Sequence, residues 1–375
     1  MRIAFYAPLK PPDHATPSGD REMARLLLRA LAAAGYDVRV VSRLRSFCAE
    51  PSDAARRRLE QLAVGEVTSL LAAWSPAGGV NWRPDLWFTY HPYYKAPDWI
   101  GLEVCEALCI PYVTAEASYA QKRDIGPWRE WQARVATAVK TAAVNFCLTP
   151  VDREGLNGLP GQRGRLVDLP PFIERPPQAP ERPRRNDSGR IELIVVAMMR
   201  PGDKLESYRM LARALAQLLD LSWGLTIVGD GPAKSDVAAA FSGLPAKRLI
   251  WTGVLSPEEV APRLAQGDLY VWPGFGEAYG MSYLEAQAEG LPVVAQRTGG
   301  IPAVVVDGVT GLLTELGDVR AFAGAVRRLL LEADLRRRMG DAAQRFVRRE
   351  RTLASAAAIL QGALEPLRFA AKGTR

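Results

Sequence analysis

The chain has 375 residues, 48% hydrophobic and 24% charged, with a net charge of +7 and four cysteines. This is an ordinary globular composition, long enough for two or three domains with a substantial core. No apolar run reaches about 18 residues, which excludes a transmembrane helix, and Cys48, Cys105, Cys109 and Cys147 have no metal-ligand spacing, so reduced thiols in a cytoplasmic protein are expected.

The opening Ile3-Ala-Phe-Tyr6 reads as a strand and not as a signal peptide, because its apolar part is short and proline follows at once. It leads into Ala7-Pro-Leu-Lys-Pro-Pro rather than Gly-x-Gly-x-x-Gly, which argues against a dinucleotide-dependent oxidoreductase. Apolar spacing predicts a helix over Arg21 to Ala34, ended by Gly35, and then a strand over Tyr36 to Val41. Further strands are expected at Leu86–Tyr90 and Pro111–Thr114, with helices over Gly101–Leu108 and from about Trp128 to Ala142. The segment 175–189, rich in proline and charge, cannot bury a core and reads as an interdomain linker.

The same rhythm restarts with strands at Ile191–Ala197, Gly224–Val228, Leu249–Trp251, Leu269–Trp272 and Pro292–Ala295. Helices are expected over Tyr208–Leu219, Pro257–Ala265 and Leu284–Glu289, and from there to the end. Strands alternating with helices imply parallel, doubly wound sheets. The expected organisation is an α/β chain of two Rossmann-like domains, 1–174 and 190–352, facing a cleft. The final segment, 353–375, is a helix that can cross back to the first domain.

Arginine concentrates in Arg56–Arg58, Arg182–Arg190, Arg327-Arg328, Arg336–Arg338 and Arg345–Arg351. Such runs suit anionic lipid or nucleic acid. Without interleaved aromatics they read as solvated helix faces, and nucleic acid is not expected as a partner. Peripheral contact of a cytoplasmic protein with the inner face of a membrane, through these basic helices, stays open.

The densest chemistry lies in Glu277-Ala-Tyr-Gly280-Met-Ser-Tyr-Leu-Glu285, which joins a buried strand to a helix start. Ligands bind at the carboxyl ends of strands in open α/β sheets, where backbone N–H groups and the helix dipole face the crevice. Two carboxylates can accept hydrogen bonds from hydroxyls while the helix end takes an anion, and a sugar nucleotide offers both. Glu285 can instead complete a capping box with Ser282, and the two roles are compatible. Gly280, Met281 and Ser282 present backbone N–H groups suited to phosphate. In the first half, Ser18-Gly19-Asp20 closes a proline-bearing loop, and Gly19 permits close backbone approach of a ligand. His91 stands at a strand end among Tyr90, Tyr93 and Tyr94, where a lone histidine is more often structural.

The second half resembles the nucleotide-binding domain of retaining glycosyltransferase family 4, the glycosyl transferases group 1, of GT-B fold. The matching landmarks are Arg200 and Lys204, Gly229-Asp-Gly-Pro232, Trp251-Thr-Gly-Val254, the Glu277/Glu285 pair, Glu289-Gly-Leu-Pro-Val-Val294, Gly299-Gly-Ile-Pro302 and Asp307-Gly-Val-Thr-Gly311. The resemblance implies that Glu277 contacts the donor sugar near the reacting carbon and that Glu285 holds the ribose hydroxyls. It assigns Arg200 and Lys204 to the departing diphosphate, with no metal and no cofactor. Val254, Tyr279, Gly280, Met281 and Ser282 would line the nucleotide-sugar site, and Gly19 would face the diphosphate across the cleft. Gly229 and Gly231 are expected to shape a turn. The implied activity is retaining transfer of a hexose from a UDP- or GDP-sugar to a hydroxyl of a sugar or lipid-linked acceptor.

Three departures stand out. Leu205 replaces the glycine usual after the lysine, Pro171-Phe172 replaces an Asn-Gly pair, and the histidine expected after the middle strand is absent, with Glu116 in that region. Glu116 and His91 are therefore the candidate acceptor-side groups. A sugar-nucleotide epimerase or phosphorylase on the same fold and a non-catalytic sugar-nucleotide-binding protein remain as alternatives.

Overall fold

The computed structural model describes residues 1–16, 18–79, 81–174 and 189–370, with side chains to 368. The linker expected at 175–189 lies outside the described residues apart from Gly189. The chain forms two compact units, one from Met1 to Pro170 completed by the segment from Leu353 onward, the other from Pro171 to Thr352.

Unit 1 alternates β1 (Arg2–Tyr6), α1 (Gly19–Ala33), β2 (Asp37–Val40), α2 (Asp53–Ala73), β3 (Leu86–Tyr90), α3 (Gly101–Leu108), β4 (Tyr112–Ala115), α4 (Arg129–Thr141), β5 (Val144–Cys147), α5 (Pro150–Asn157) and β6 (Arg165–Asp168). The six strands are parallel in the order β2-β1-β3-β4-β5-β6. Every residue of β3, β4 and β5 is buried, as expected where helices cover both faces of a parallel sheet. Neither edge strand buries a residue: β2 alternates exposed and half-buried positions, and β6 is half-buried only at its two central residues.

Unit 2 contains β7 (Ile191–Val196), α6 (Asp203–Ala216), β8 (Trp223–Val228), α7 (Lys234–Ala240), β9 (Leu249–Gly253), α8 (Pro257–Ala265), β10 (Leu269–Val271), α9 (Met281–Ala288), β11 (Val293–Gln296), α10 (Ile301–Val304), β12 (Gly311–Thr314), α11 (Val319–Leu331) and α12 (Ala333–Glu350). Its parallel order β12-β11-β10-β7-β8-β9 is the Rossmann order when counted within the unit. The chain progresses outward in one direction from β7 and then restarts at β10 beside it. The β7/β10 junction is therefore the switch point, and the helices that follow these two strands diverge and leave a crevice at their carboxyl ends.

Several boundaries differ from the sequence reading. Helix α1 begins at Gly19 and not at Arg21, because Ser18 is its N-cap and its Oγ accepts from the Arg21 N–H at 3.2 Å. Unit 2 begins at Pro171, since Ile173 pairs with Thr352 and its N–H donates to the Arg351 carbonyl at 3.0 Å. Helix α2 and strands β5, β6 and β12 had no predicted counterpart. On α12 the exposed Arg337, Arg338, Arg345, Arg348 and Arg349 lie opposite the buried Met339, Ala343 and Val347, a solvated outer face. All four cysteines are free. Among the described residues, no helix is long and apolar enough to cross a membrane.

Helix α13 (Leu353–Leu364) packs on α1 within unit 1. It buries Ala356, Ala357, Leu360, Ala363 and Leu364, spaced to form one apolar stripe. Arg165 of β6 donates to the Ala363 carbonyl at 3.1 Å. Leu360 is fully buried, so Leu360→Ala should lower stability by about 2–5 kcal/mol. Urea unfolding checks this; an unchanged midpoint would contradict the packing of α13 as part of the unit 1 core.

Candidate functional site

At the β7/β10 switch point, residues far apart in sequence converge. After β7 the chain turns through Met198, Met199 and Arg200 into α6, and Lys204 stands in the first turn of that helix. The Leu205 N–H donates to the Arg200 carbonyl at 3.1 Å, closing this turn. Leu205, at the expected glycine position, is buried within α6. Gly231 abuts the backbone of Met199, and the Met199 N–H donates to the Asp230 carbonyl at 2.9 Å. The glycine turn after β8 thus braces the loop that carries Arg200.

After β10 the chain runs Trp272-Pro-Gly274-Phe-Gly276-Glu277, with Gly274 at φ 80° and Gly276 at φ 63°. A side chain at Gly276 would collide with Asp203 of α6, so glycine is required where this loop crosses the start of α6. The Phe275 N–H donates to Ser207 Oγ at 3.0 Å, tying the two segments together. As a result the Lys204 ammonium forms an ion pair with Glu277 Oε1, in a half-buried setting where Glu277 is only 13% exposed. Trp272 Nε1–H donates to the same Oε1 at 2.9 Å.

Helices α6 and α9 both start at this edge, with Gly202 (φ 79°) and Gly280 (φ 76°) as their N-caps. Neither has a side-chain cap, and α9 has no acidic residue in its first turn. The first N–H groups of α9 are therefore suited to an anion, whereas α6 has Asp203 and Glu206 in its own first turn. The capping box weighed for Ser282 and Glu285 does not form, because Gly280 is the N-cap and Ser282 lies inside the helix. The buried Tyr270 hydroxyl instead joins Ser282 to Val196 at the end of β7, and burial pushes that phenol well up. Glu285 lies half-buried one turn into α9, Tyr279 is buried, and Met281 and Ser282 are half-buried. Val254 follows edge strand β9 on the same side of the sheet and is 76% exposed.

Gly19, His91 and Glu116 belong to unit 1 and form a second group there. Gly19 is the exposed first residue of α1, and no left-handed backbone or crowding within the unit requires a glycine. His91 and Glu116 immediately follow the paired strands β3 and β4, and both adopt left-handed backbone, φ 58° and 55°. Such conformations cost about 1–3 kcal/mol each in non-glycine residues and cluster at functional positions. His91 Nδ1 lies 3.2 Å from Asp20 Oδ1 and 3.6 Å from Glu116 Oε1. A histidine does not stand at the end of β4; the imidazole at this edge comes from the adjacent strand.

The electrostatics follow from burial. Desolvation opposes a charge on His91, but the Glu116 carboxylate, the Asp20 hydrogen bond and charge, and Asp152 outweigh it and raise the imidazole from 6.5 to about 9. Burial raises Glu116 to about 7 against the pull of His91, with Asp152 and Asp20 adding to the rise. Asp20 is held low because His91 and Lys10 outweigh its burial. Asp152, the N3 residue of the α5 capping box with Thr149, is raised by burial.

Sequence reading missed three of these participants. Trp272 passed as the last residue of a buried strand, Asp20 as the end of the loop that Gly19 opens to a ligand, and Asp152 went unremarked. Only Asp152 carried a local signal, Thr149-Pro-Val-Asp152, which spells a helix cap.

Because the folded His91 titrates above its ordinary value, its stabilisation is complete below about pH 6.5 and is lost as pH rises through about 9. The denaturant midpoint of the wild type should fall across this window, and His91→Gln should flatten the fall. An equal slope in both proteins would contradict the charged imidazole.

Residues 190–332 match the family Glycosyl transferases group 1. The chain is 40% identical over 123 residues to the sulfoquinovosyl transferase SQD2 of Arabidopsis thaliana, covering 32% of this chain and 24% of that one. It is 32% identical over 203 residues to the GDP-mannose-dependent alpha-(1-6)-phosphatidylinositol monomannoside mannosyltransferase of Mycolicibacterium smegmatis, covering 50% and 52%. The matched stretches thus span about half or less of these relatives' lengths. In fold, the chain is similar to sucrose-phosphate synthase from Thermosynechococcus elongatus, with a TM-score of 0.74, 20% identity and 99% of both chains covered. It is also similar to Anabaena HepE in complex with UDP, with a TM-score of 0.70, 15% identity, and 98% and 100% covered. Residues 190–332 thus carry the match to the group 1 glycosyl transferases, and the chain as a whole has the GT-B fold of two parallel α/β units.

Proposed function

We propose that this protein transfers a hexose from a nucleoside diphosphate sugar to an acceptor hydroxyl, with retention of the anomeric configuration and without a metal ion. The observation that carries this reading is the Lys204–Glu277 pair at the β7/β10 switch point, beside two helix N-termini with no side-chain caps. Cations and helix dipoles there match a diphosphate, and a fixed carboxylate matches sugar hydroxyls. The relatives' names support the donor class: one is GDP-mannose-dependent, and HepE is seen with UDP.

In the proposed reaction the acceptor oxygen bonds to the anomeric carbon as the bond from that carbon to the diphosphate oxygen breaks. The bonding pair leaves with the diphosphate, and the acceptor proton passes to a phosphate oxygen on the same face. The products are a glycoside and the nucleoside diphosphate. Arg200 and Lys204 stabilise the charge that develops on the leaving group, so they act most strongly in the transition state. Glu277 orients the donor sugar near the reacting carbon, and Glu285 holds the ribose hydroxyls. Tyr279 and the backbone N–H groups of Gly280, Met281 and Ser282 complete the donor site, with Val254 at the base. His91 and Glu116 are proposed for the acceptor side, and the Gly19 backbone for phosphate contact.

The test is transfer and thermal stabilisation against a panel of UDP- and GDP-sugars in EDTA. One donor should raise the melting temperature of the wild type and not of Glu285→Ala. Glu277→Ala should reduce transfer by about 100-fold or more while remaining folded. Stabilisation by no donor, equal stabilisation of Glu285→Ala, or full turnover in Glu277→Ala would refute these assignments. Release of an altered sugar nucleotide without acceptor would favour an epimerase.

A further inference from the structure

Lys204 and Glu277 occupy each other in the free protein, yet the donor reading requires each for a different part of the substrate. Lys204 has one ammonium, and its partner is Glu277 Oε1. A diphosphate carries more negative charge than a carboxylate and would draw that ammonium away. Glu277 would then lose its cation beside a newly bound anion, and a carboxylate held by nothing else would turn from the phosphate. Something must hold it while its partner changes.

Trp272 meets this need. Its side chain is fully buried, and its Nε1–H donates to Glu277 Oε1 at 2.9 Å. An indole N–H can only donate and carries no charge, so it grips the carboxylate without competing for the phosphate. The indole is itself immobilised. Its backbone N–H donates to the Val294 carbonyl at 3.1 Å, and its carbonyl accepts from the Tyr283 hydroxyl at 3.1 Å. The Tyr208 ring meets it edge-on at 4.8 Å, and the Tyr208 hydroxyl donates to the Ala197 carbonyl beyond β7 at 2.7 Å. The Lys204 ammonium also lies 5.6 Å from the indole centroid, so the ring face attracts the cation while leaving it able to move.

We propose that Trp272 is a positioning residue that keeps Glu277 in place while Lys204 exchanges Glu277 for the donor's diphosphate. The proposal rests on the donor reading above and adds two elements to it: an ion pair that the donor must open, and a neutral hydrogen bond that survives the opening.

Two measurements test it. First, Trp272→Phe removes the N–H and keeps an aromatic ring. Its kcat should fall about 10-fold to 100-fold, as for loss of a hydrogen bond to a charged group, with the Kd for free UDP or GDP within about twofold of wild type. Lys204→Met should weaken that Kd. In a Glu277→Gln background, Trp272→Phe should cost far less transfer than it does alone. Unchanged kcat, or equal losses of kcat and of nucleoside diphosphate affinity, would overturn the role of Trp272. Second, Glu277→Gln frees Lys204, so free UDP or GDP should bind about fivefold tighter than to wild type. Binding no tighter than wild type would overturn the exchange, and this arm needs no Trp272 variant to fold. Absence of wild-type transfer with every donor, by contrast, would sink the proposed function itself.

Discussion

One constraint organises unit 2: β7 and β10 lie side by side although the residues at their carboxyl ends are remote in sequence. The parallel order places β10 next to β7, and the helices that follow the two strands diverge. Everything at the candidate site depends on that divergence. It brings Lys204 of α6 to Glu277 of the β10–α9 loop, and it leaves two helix N-termini starting at the same edge. The glycines at 274 and 276 are consequences of this closeness, because the loop after β10 has to cross the start of α6. The same closeness lets one oxygen of Glu277 take both an ammonium and an indole N–H.

The carboxyl edge of unit 1 has a different electrostatic character. There one imidazole is surrounded by Asp20, Glu116 and Asp152, from the loops and helix starts that follow β1, β4 and β5. Each carboxylate would be costly to bury alone; the shared imidazolium offsets part of that cost and is itself held protonated. Two residues accept left-handed backbone to reach this arrangement. Core stability gives no reason for such strain, since β3 and β4 are already fully buried apolar strands. The strain instead aims His91 and Glu116 at one point.

Much of this architecture was legible in the sequence because its signals are local. Buried strands such as Leu86–Tyr90 and Ile191–Val196 read directly as apolar runs, and the loop motifs between Arg200 and Gly311 kept their order. What escaped has physical reasons. β6 is a short edge strand with no buried residue, and α2 buries only Ala63, so neither shows a strong apolar pattern. β5 hides Asn145 in its core, paired to Thr114 Oγ1 at 2.5 Å across the sheet. The start of α1 moved because a Ser18 cap outweighs a weak first turn. The convergence of Asp20 with His91, and the hold of Trp272 on Glu277, are tertiary facts that no window of sequence contains.

On the proposed exchange, the free Lys204–Glu277 ion pair opens when the donor's diphosphate arrives. A crystal structure of the protein with a bound nucleoside diphosphate tests it most directly. The Lys204 ammonium should then lie on a phosphate oxygen, with the Trp272 Nε1–Glu277 hydrogen bond unchanged. A diphosphate bound elsewhere, with Lys204 still on Glu277, would contradict it.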